Sequence, residues 1–176
     1  MRRVGLVGFF SAGLLLFCAS AFADACPAQP TVIGAAAAFQ NAAQSGSARA
    51  FSNAAGRFTD VRGLSMFALG QYRRDLPASQ EGKYVYLTKV FMGKFMANNA
   101  NQIPTSNVTI TSCNGNTVTA RLGNNTNVTF RMSGSTRIAD VSIMGVSVAG
   151  AMRTKFTGIL RDNNGDFDAL YSFLQQ

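Results

Sequence analysis

The stretch Asp140–Leu160, "DVSIMGVSVAGAMRTKFTGIL", decides the fold, because its apolar residues do not keep one period from end to end. Val141 and Ile143 alternate with Ser142, which is the period of an extended strand with one apolar face. Gly145 ends that run. Ser147 is then a favourable N-cap, since its hydroxyl can accept from a free amide of a first helical turn. Beyond it Val148, Met152, Phe156 and Ile159 recur at helical spacing, with Arg153 and Lys155 on the outer face. The stretch reads as a strand, a glycine corner and a helix. Its two cations and several polar residues exclude a membrane span.

Upstream the period of two continues. "NVTITSC" alternates Val108 and Ile110 with threonines, "TVTARLG" carries Val118, Ala120 and Leu122, and "NVTFRMS" carries Val128, Phe130 and Met132. Asn114-Gly115 is a strong hairpin signal, and "GNNTN" and "SGST" supply the other turns. With the strand at "RIADVSIM", this predicts a four-stranded antiparallel meander over about 106–144, apolar on one face. The first half reads helical over about 31–100. One helix starts from Thr31 as N-cap, a second runs from Ser47 to Gly56, and a third presents Val61, Leu64 and Ala68 before Gly70. The longest runs from Pro77 to about Ala100, with Tyr84, Leu87, Phe91 and Phe95 as its stripe. Val85, Tyr86, Val90, Met92 and Met96 lie outside the stripe. Such excess suits either a central core helix or one covered on a second side by something else. C-terminal helices are expected over about 147–174, the last capped by Asp166, with Phe167, Leu170, Phe173 and Leu174 inward.

The N-terminus carries a positive start, "MRR", an apolar run and the small residues "AFADA". These predict a secretory signal peptide over 1–25, cleaved after Ala23 or Ala25, and one domain over 26–176. Cys18 would leave with it. Cys26 and Cys113 remain in an oxidising compartment, which predicts one disulfide, the alternative being two unpaired thiols. The net charge of +8 suits an anionic partner such as a membrane surface or an acidic protein face. Beyond the leader the basic residues are scattered, with Arg73-Arg74 the only pair, so no nucleic acid is expected.

Several chemistries are excluded. With no histidine, Ser-His-Asp, Cys-His and histidine-metal sites cannot be built. Asp162, Asp166 and Asp168 do not keep a calcium-loop spacing and read as a turn followed by a cap. The sequons at Asn107, Asn124 and Asn127 read as strand and turn residues.

At the opening stretch the sequence also resembles a known family. Ile138, Asp140 and Val141, then Gly145, Val146 and Ser147, then Arg153 and Phe156 match in order and spacing the C-terminal block of the MlaC, or toluene-tolerance, family. Leu69 and Gly70, Arg73 or Arg74, and Gln80 match its middle block. The tryptophan common in the family before this strand is absent; Arg137 stands in that region. The resemblance spans roughly 31–176. It implies an α+β fold: N-terminal helices on a curved four-stranded meander, then C-terminal helices, around an internal apolar cavity. It implies a periplasmic phospholipid carrier that exchanges lipid with an inner-membrane ABC transporter complex, through a substrate-binding-domain subunit, and with an outer-membrane lipoprotein complex. It thereby serves outer-membrane lipid asymmetry, without a cofactor, a metal or catalysis.

On that implication the cavity is expected between the long helix and the apolar sheet face. Its lining would comprise Leu64, Phe67, Tyr84, Leu87, Phe91 and Phe95 from the helical half. Val108, Ile110, Val118, Ala120, Leu122, Val128, Phe130, Val141 and Ile143 would come from the sheet, and Val148 and Met152 from the helix after it. Rival readings are a hopanoid or other polycyclic-lipid carrier of the same fold, and a small isomerase-like enzyme of cone-shaped α+β fold using Asp140 with Tyr84 or Tyr86. A secreted structural module is the third.

Overall fold

The computed structural model describes residues 26–102, 108–123 and 125–176. The expected signal peptide, the strand start before 108 and the sequons at Asn107 and Asn124 lie outside the described residues. Six helices and one sheet make up the rest: α1 (Gln29–Ser45), α2 (Ala48–Phe58), α3 (Val61–Ala68), α4 (Glu81–Asn98), α5 (Val148–Asp162) and α6 (Phe167–Gln175). The strands are β1 (Val108–Asn114), β2 (Thr117–Leu122), β3 (Asn127–Ser133), β4 (Arg137–Ile143) and β5 (Val146–Ser147). All neighbours are antiparallel, in the order β1-β2-β3-β4-β5.

The sheet has five strands, not the expected four. Gly145 does not simply end β4; Met144 and Gly145 both hold positive φ and reverse the chain, so that Ile143 pairs with Val146 and Ser142 with Ser147. Cross-strand register aligns the apolar positions: Val118 with Phe130 and Val141, and Ile110 with Ala120, Val128 and Ile143. A bulge opposite Arg131 and Met132 brings Asp140 against Arg131 and Ile138 against Met132. Without it Ile138 and Asp140 would share a face. With it Ile138 joins the apolar side, while Asp140 accepts from the amide of Ala149 in α5.

Caps fix the helices where side-chain oxygens reach free amides. Ser47 accepts from Ala50, Ser147 from Gly150 and Asp166 from Asp168. Three boundaries differ from the sequence reading. α1 begins at Gln29, because Pro30 presets the first turn, and Thr31 instead donates to the Ser135 carbonyl at 2.9 Å. α2 passes through Gly56 to Phe58, and Arg137 binds the carbonyls of Gly56 and Arg57 at 2.8 and 2.7 Å. Pro77 leads a short 3-10 turn, Ala78–Gln80, before α4. The β1–β2 turn residues are Gly115 and Asn116, one position later than the Asn-Gly signal suggested.

Two apolar clusters result. In the helical one Met66, Leu69, Tyr84, Leu87, Phe156, Leu160, Leu170 and Leu174 join α3, α4, α5 and α6. The Tyr84 hydroxyl donates to the Ser65 carbonyl at 2.8 Å, satisfying an acceptor in the last turn of α3. Between the clusters α2 packs on both α1 and α4. It crosses α4 so closely that a Cβ at Gly93 would fall 2.0 Å from Ser52 Oγ. α2 thus covers part of the second side of the long helix, while Val85, Val90, Met92 and Met96 stay half-buried and Tyr86 exposed. Among the described residues no helix is long and apolar enough to cross a membrane.

Candidate functional site

The second cluster is the apolar face of the sheet. Val118, Ala120, Val128, Phe130, Met132 and Ile138 are buried there, with Val108, Ile110, Leu122 and Val141 half-buried beside them. The cover comes from α1 rather than α4: Ala28, Val32 and Ala35 press on the face, with Phe39, Phe58 and Cys26 at its margin. The covering helix is built largely of small side chains, "GAAAAFQNAA" over 34–43. Small residues form a thin layer, which makes few dispersion contacts per turn and holds a face less firmly than leucines would.

The start of α1 is tethered. Cys26 and Cys113 form a disulfide with a Cα–Cα distance of 5.7 Å, joining the residues before α1 to the far end of edge strand β1. From there α1 runs to Gly46, whose φ of 61° ends the helix before α2 begins. α1 is thus a layer fixed covalently at one end and by a turn at the other.

The expected lining residues separate into groups. The nine sheet positions share one side, and eight of them belong to the cluster under α1; Ile143 emerges at its margin, 45% exposed. Tyr84, Leu87, Phe91 and Met152 lie in or against the helical cluster, where the Phe91 and Phe173 rings stand 5.1 Å apart. Phe95, on the expected inner stripe, is 57% exposed. The expected apposition of long helix and sheet is therefore corrected. α2 and α6 take the two sides of α4, and the shorter α1 takes the sheet. Leu64 and Phe67 flank a hollow of about 290 Å³ between α3 and the β3–β4 pair, where Arg153 stands 5.0 Å over the Phe67 ring. Val148 is exposed at the start of α5. The sequence reading missed Val32, Ala35 and Phe39 as contributors to the sheet's cover. Their signal was present, since an alanine-rich helix with few large residues can cover a flat face closely.

A larger hollow, about 550 Å³, opens between α2, α3 and α4 and is lined by Thr59, Asp60, Val61, Val85, Tyr86, Lys89 and Arg137 among others. Its mixed charges suit water and polar groups better than hydrocarbon.

Asp140 is a structural hub. Oδ1 accepts from the amides of Val141 and Ala149 at 2.8 and 2.9 Å, and Oδ2 accepts from the Ser147 hydroxyl at 2.5 Å. Both oxygens are thus engaged in holding β5 and the first turn of α5 against β4. Tyr84 sits in the other cluster, and burial pushes its hydroxyl well above the ordinary 10.0. Tyr86 faces solvent. The three groups named for isomerase chemistry do not converge on one pocket.

The family model described as MlaC protein matches residues 32–176. A solved structure of similar fold is a phospholipid-binding protein from Ralstonia solanacearum, in complex with a phospholipid. The TM-score is 0.68 at 13% identity, over 85% of this chain and 93% of that one. No curated protein matches the chain by sequence.

Proposed function

Since the chain belongs to the MlaC family, we propose that it is a lipid carrier that holds phospholipid acyl chains against the apolar face of its sheet. The observation that carries this reading is the sheet itself. A continuous row of Val, Ile, Ala, Leu and Phe on one face is covered by a thin, alanine-rich helix tied at its start by a disulfide. An acyl chain entering between α1 and the sheet keeps the same apolar side chains out of water. Each buried methylene contributes about 0.8 kcal/mol, so no covalent bond or cofactor is needed to retain it. The phospholipid in the structurally similar Ralstonia protein supports the class of ligand.

The role follows as binding and transfer rather than catalysis. The carrier works in the periplasm, taking lipid from or giving it to an inner-membrane ABC transporter complex and an outer-membrane lipoprotein complex. Release needs a partner, because the same burial that retains the chains opposes their return to water.

Photo-crosslinking tests the placement. A phospholipid with a photoactivatable acyl chain should label peptides containing Val118–Leu122, Val128–Met132 and the first half of α1. Labelling confined to the hollow around Lys89 and Arg137, or to the helical cluster around Tyr84 and Phe91, would overturn it.

A further inference from the structure

The β4–β5 hairpin breaks two local rules at once. Its tip, Ile143-Met144-Gly145-Val146, has no polar side chain, and Met144 and Val146 are 82% and 66% exposed. Tight turns with both central residues at positive φ ordinarily take Asn, Asp or Gly first. Here Met144 holds φ 51° and Gly145 φ 83°. A bulky apolar residue occupies a strained position in full contact with water. Such a conflict between local preference and sequence belongs to functional sites. The tip is also held in place: Ile143 pairs with Val146, Ser142 with Ser147, and Asp140 clamps Ser147 and Ala149 behind it.

The hairpin belongs to a basic stretch of chain: from Gly82 to Arg161 there are nine Lys and Arg and one acid, Asp140. Several of these cations are held away from the tip, Lys83 over the Tyr171 ring, Lys94 on the Gln175 carbonyl, Arg137 on the carbonyls of Gly56 and Arg57, and Arg161 beside Asp162. Asp140 faces inward with both oxygens engaged. Arg121 lies in the cross-strand row of the tip: it pairs with Asn127, whose carbonyl accepts from the Met144 amide. The acid Asp162 closes the far end of α5, roughly 22 Å away along a helix of this length, and Asp166 and Asp168 follow it. Asp60 is tied to Ile138, near the opposite end of β4.

We propose that the Ile143–Val148 hairpin is a membrane-contact element, setting its apolar tip among the acyl chains of an anionic lipid surface while Arg121 and the net positive charge of the chain attract the head groups. An exposed apolar tip on a basic chain, with Arg121 in its cross-strand row, suits such an interface, where burial and charge attraction act together. An acidic protein face would instead be matched by cations at the centre of contact. This docking does not rest on lipid carriage, and its readout is separate from lipid load.

The chain has no tryptophan, so Met144→Trp creates a single reporter. The processed protein should float with phosphatidylglycerol vesicles and far less with phosphatidylcholine vesicles. Met144→Trp emission should shift to the blue only with the former. Met144→Asp/Val146→Asp should keep the melting curve of the parent and lose roughly tenfold or more of vesicle affinity. Parent protein that ignores phosphatidylglycerol vesicles, a double variant that binds them as the parent does, or unmoved tryptophan emission would each overturn the proposal. So would a tip that crosslinks to an envelope protein while the parent fails to float.

Discussion

Ala120→Phe separates a lipid-binding face from an ordinary core. Ala120 is fully buried, flanked by Ile110 and Val128 in the register and grouped with Val32 and Ala35 of α1. A phenyl ring here must lift α1 or displace its neighbours, at about 1–3 kcal/mol of stability. For a domain of this size that lowers Tm by roughly 2–12 °C. The same ring occupies the space of about two or three acyl methylenes, each contributing about 0.8 kcal/mol. A loss of about 2 kcal/mol corresponds to roughly 30-fold in affinity. The variant should therefore fold, melt somewhat earlier, and bind phospholipid roughly 30-fold more weakly. Circular dichroism gives the first two quantities, and titration of delipidated protein with a fluorescent phospholipid gives the third. Leu87→Phe, an overpacking change in the helical cluster, is the control: comparable Tm loss with lipid affinity intact. Unchanged binding in Ala120→Phe, or equal binding losses in both variants, would refute the assignment of the site to the sheet.

The remaining predictions concern what holds the site. Cys113→Ser opens a loop with a sequence separation of 87. The chain-entropy relation gives about 4.6 kcal/mol for that length, a fall of roughly 9–18 °C in Tm; an identical melt with and without reductant would contradict it. Asp140→Ala strips an acceptor from the buried Ala149 amide and from Ser147, and should cost about 1–3 kcal/mol per unsatisfied donor. Loss of lipid turnover chemistry with no loss of stability would speak instead for a catalytic role. Tyr84→Phe leaves the Ser65 carbonyl without its donor and should cost about 1–3 kcal/mol near neutrality. Because burial raises the Tyr84 hydroxyl above 10.0, the folded state favours its neutral form. That stability is fully present below pH 10 and is lost as pH rises further. Chemical denaturation from pH 8 upward should show this decline in the parent and a weaker one in Tyr84→Phe.

Much of this architecture was legible because the two periods are distinct. Alternation at Val118, Ala120, Val128 and Phe130, and helical spacing at Phe156, located the elements. The caps at Ser47, Ser147 and Asp166 did so as well, since each depends on one side chain and a neighbouring amide. β5 escaped because two residues carry no period, and Gly145 serves a corner or a hairpin equally well. The partner of the sheet escaped for a different reason. Amphipathic stripes say which side of a helix is buried, not against what. Tyr84 and Phe91 fit the sheet face and the α5–α6 pair equally by pattern. The Gly93–Ser52 close approach, which commits α4 to α2, involves residues with no apolar signal at all. Cys26 and Cys113, far apart in sequence, were matched by chemistry alone, and the bridge they form is what ties the start of α1 to the sheet.

The central claim is that a lipid occupies this chain. Native mass spectrometry of protein purified from its host without added lipid tests it most directly, with organic extraction of the same sample to identify what is released. The account predicts a species heavier than the chain by one phospholipid, whose population falls in Ala120→Phe. A bare chain mass in protein prepared under conditions that retain bound lipid would contradict it, and a polycyclic lipid in the extract would overturn the assignment to acyl chains.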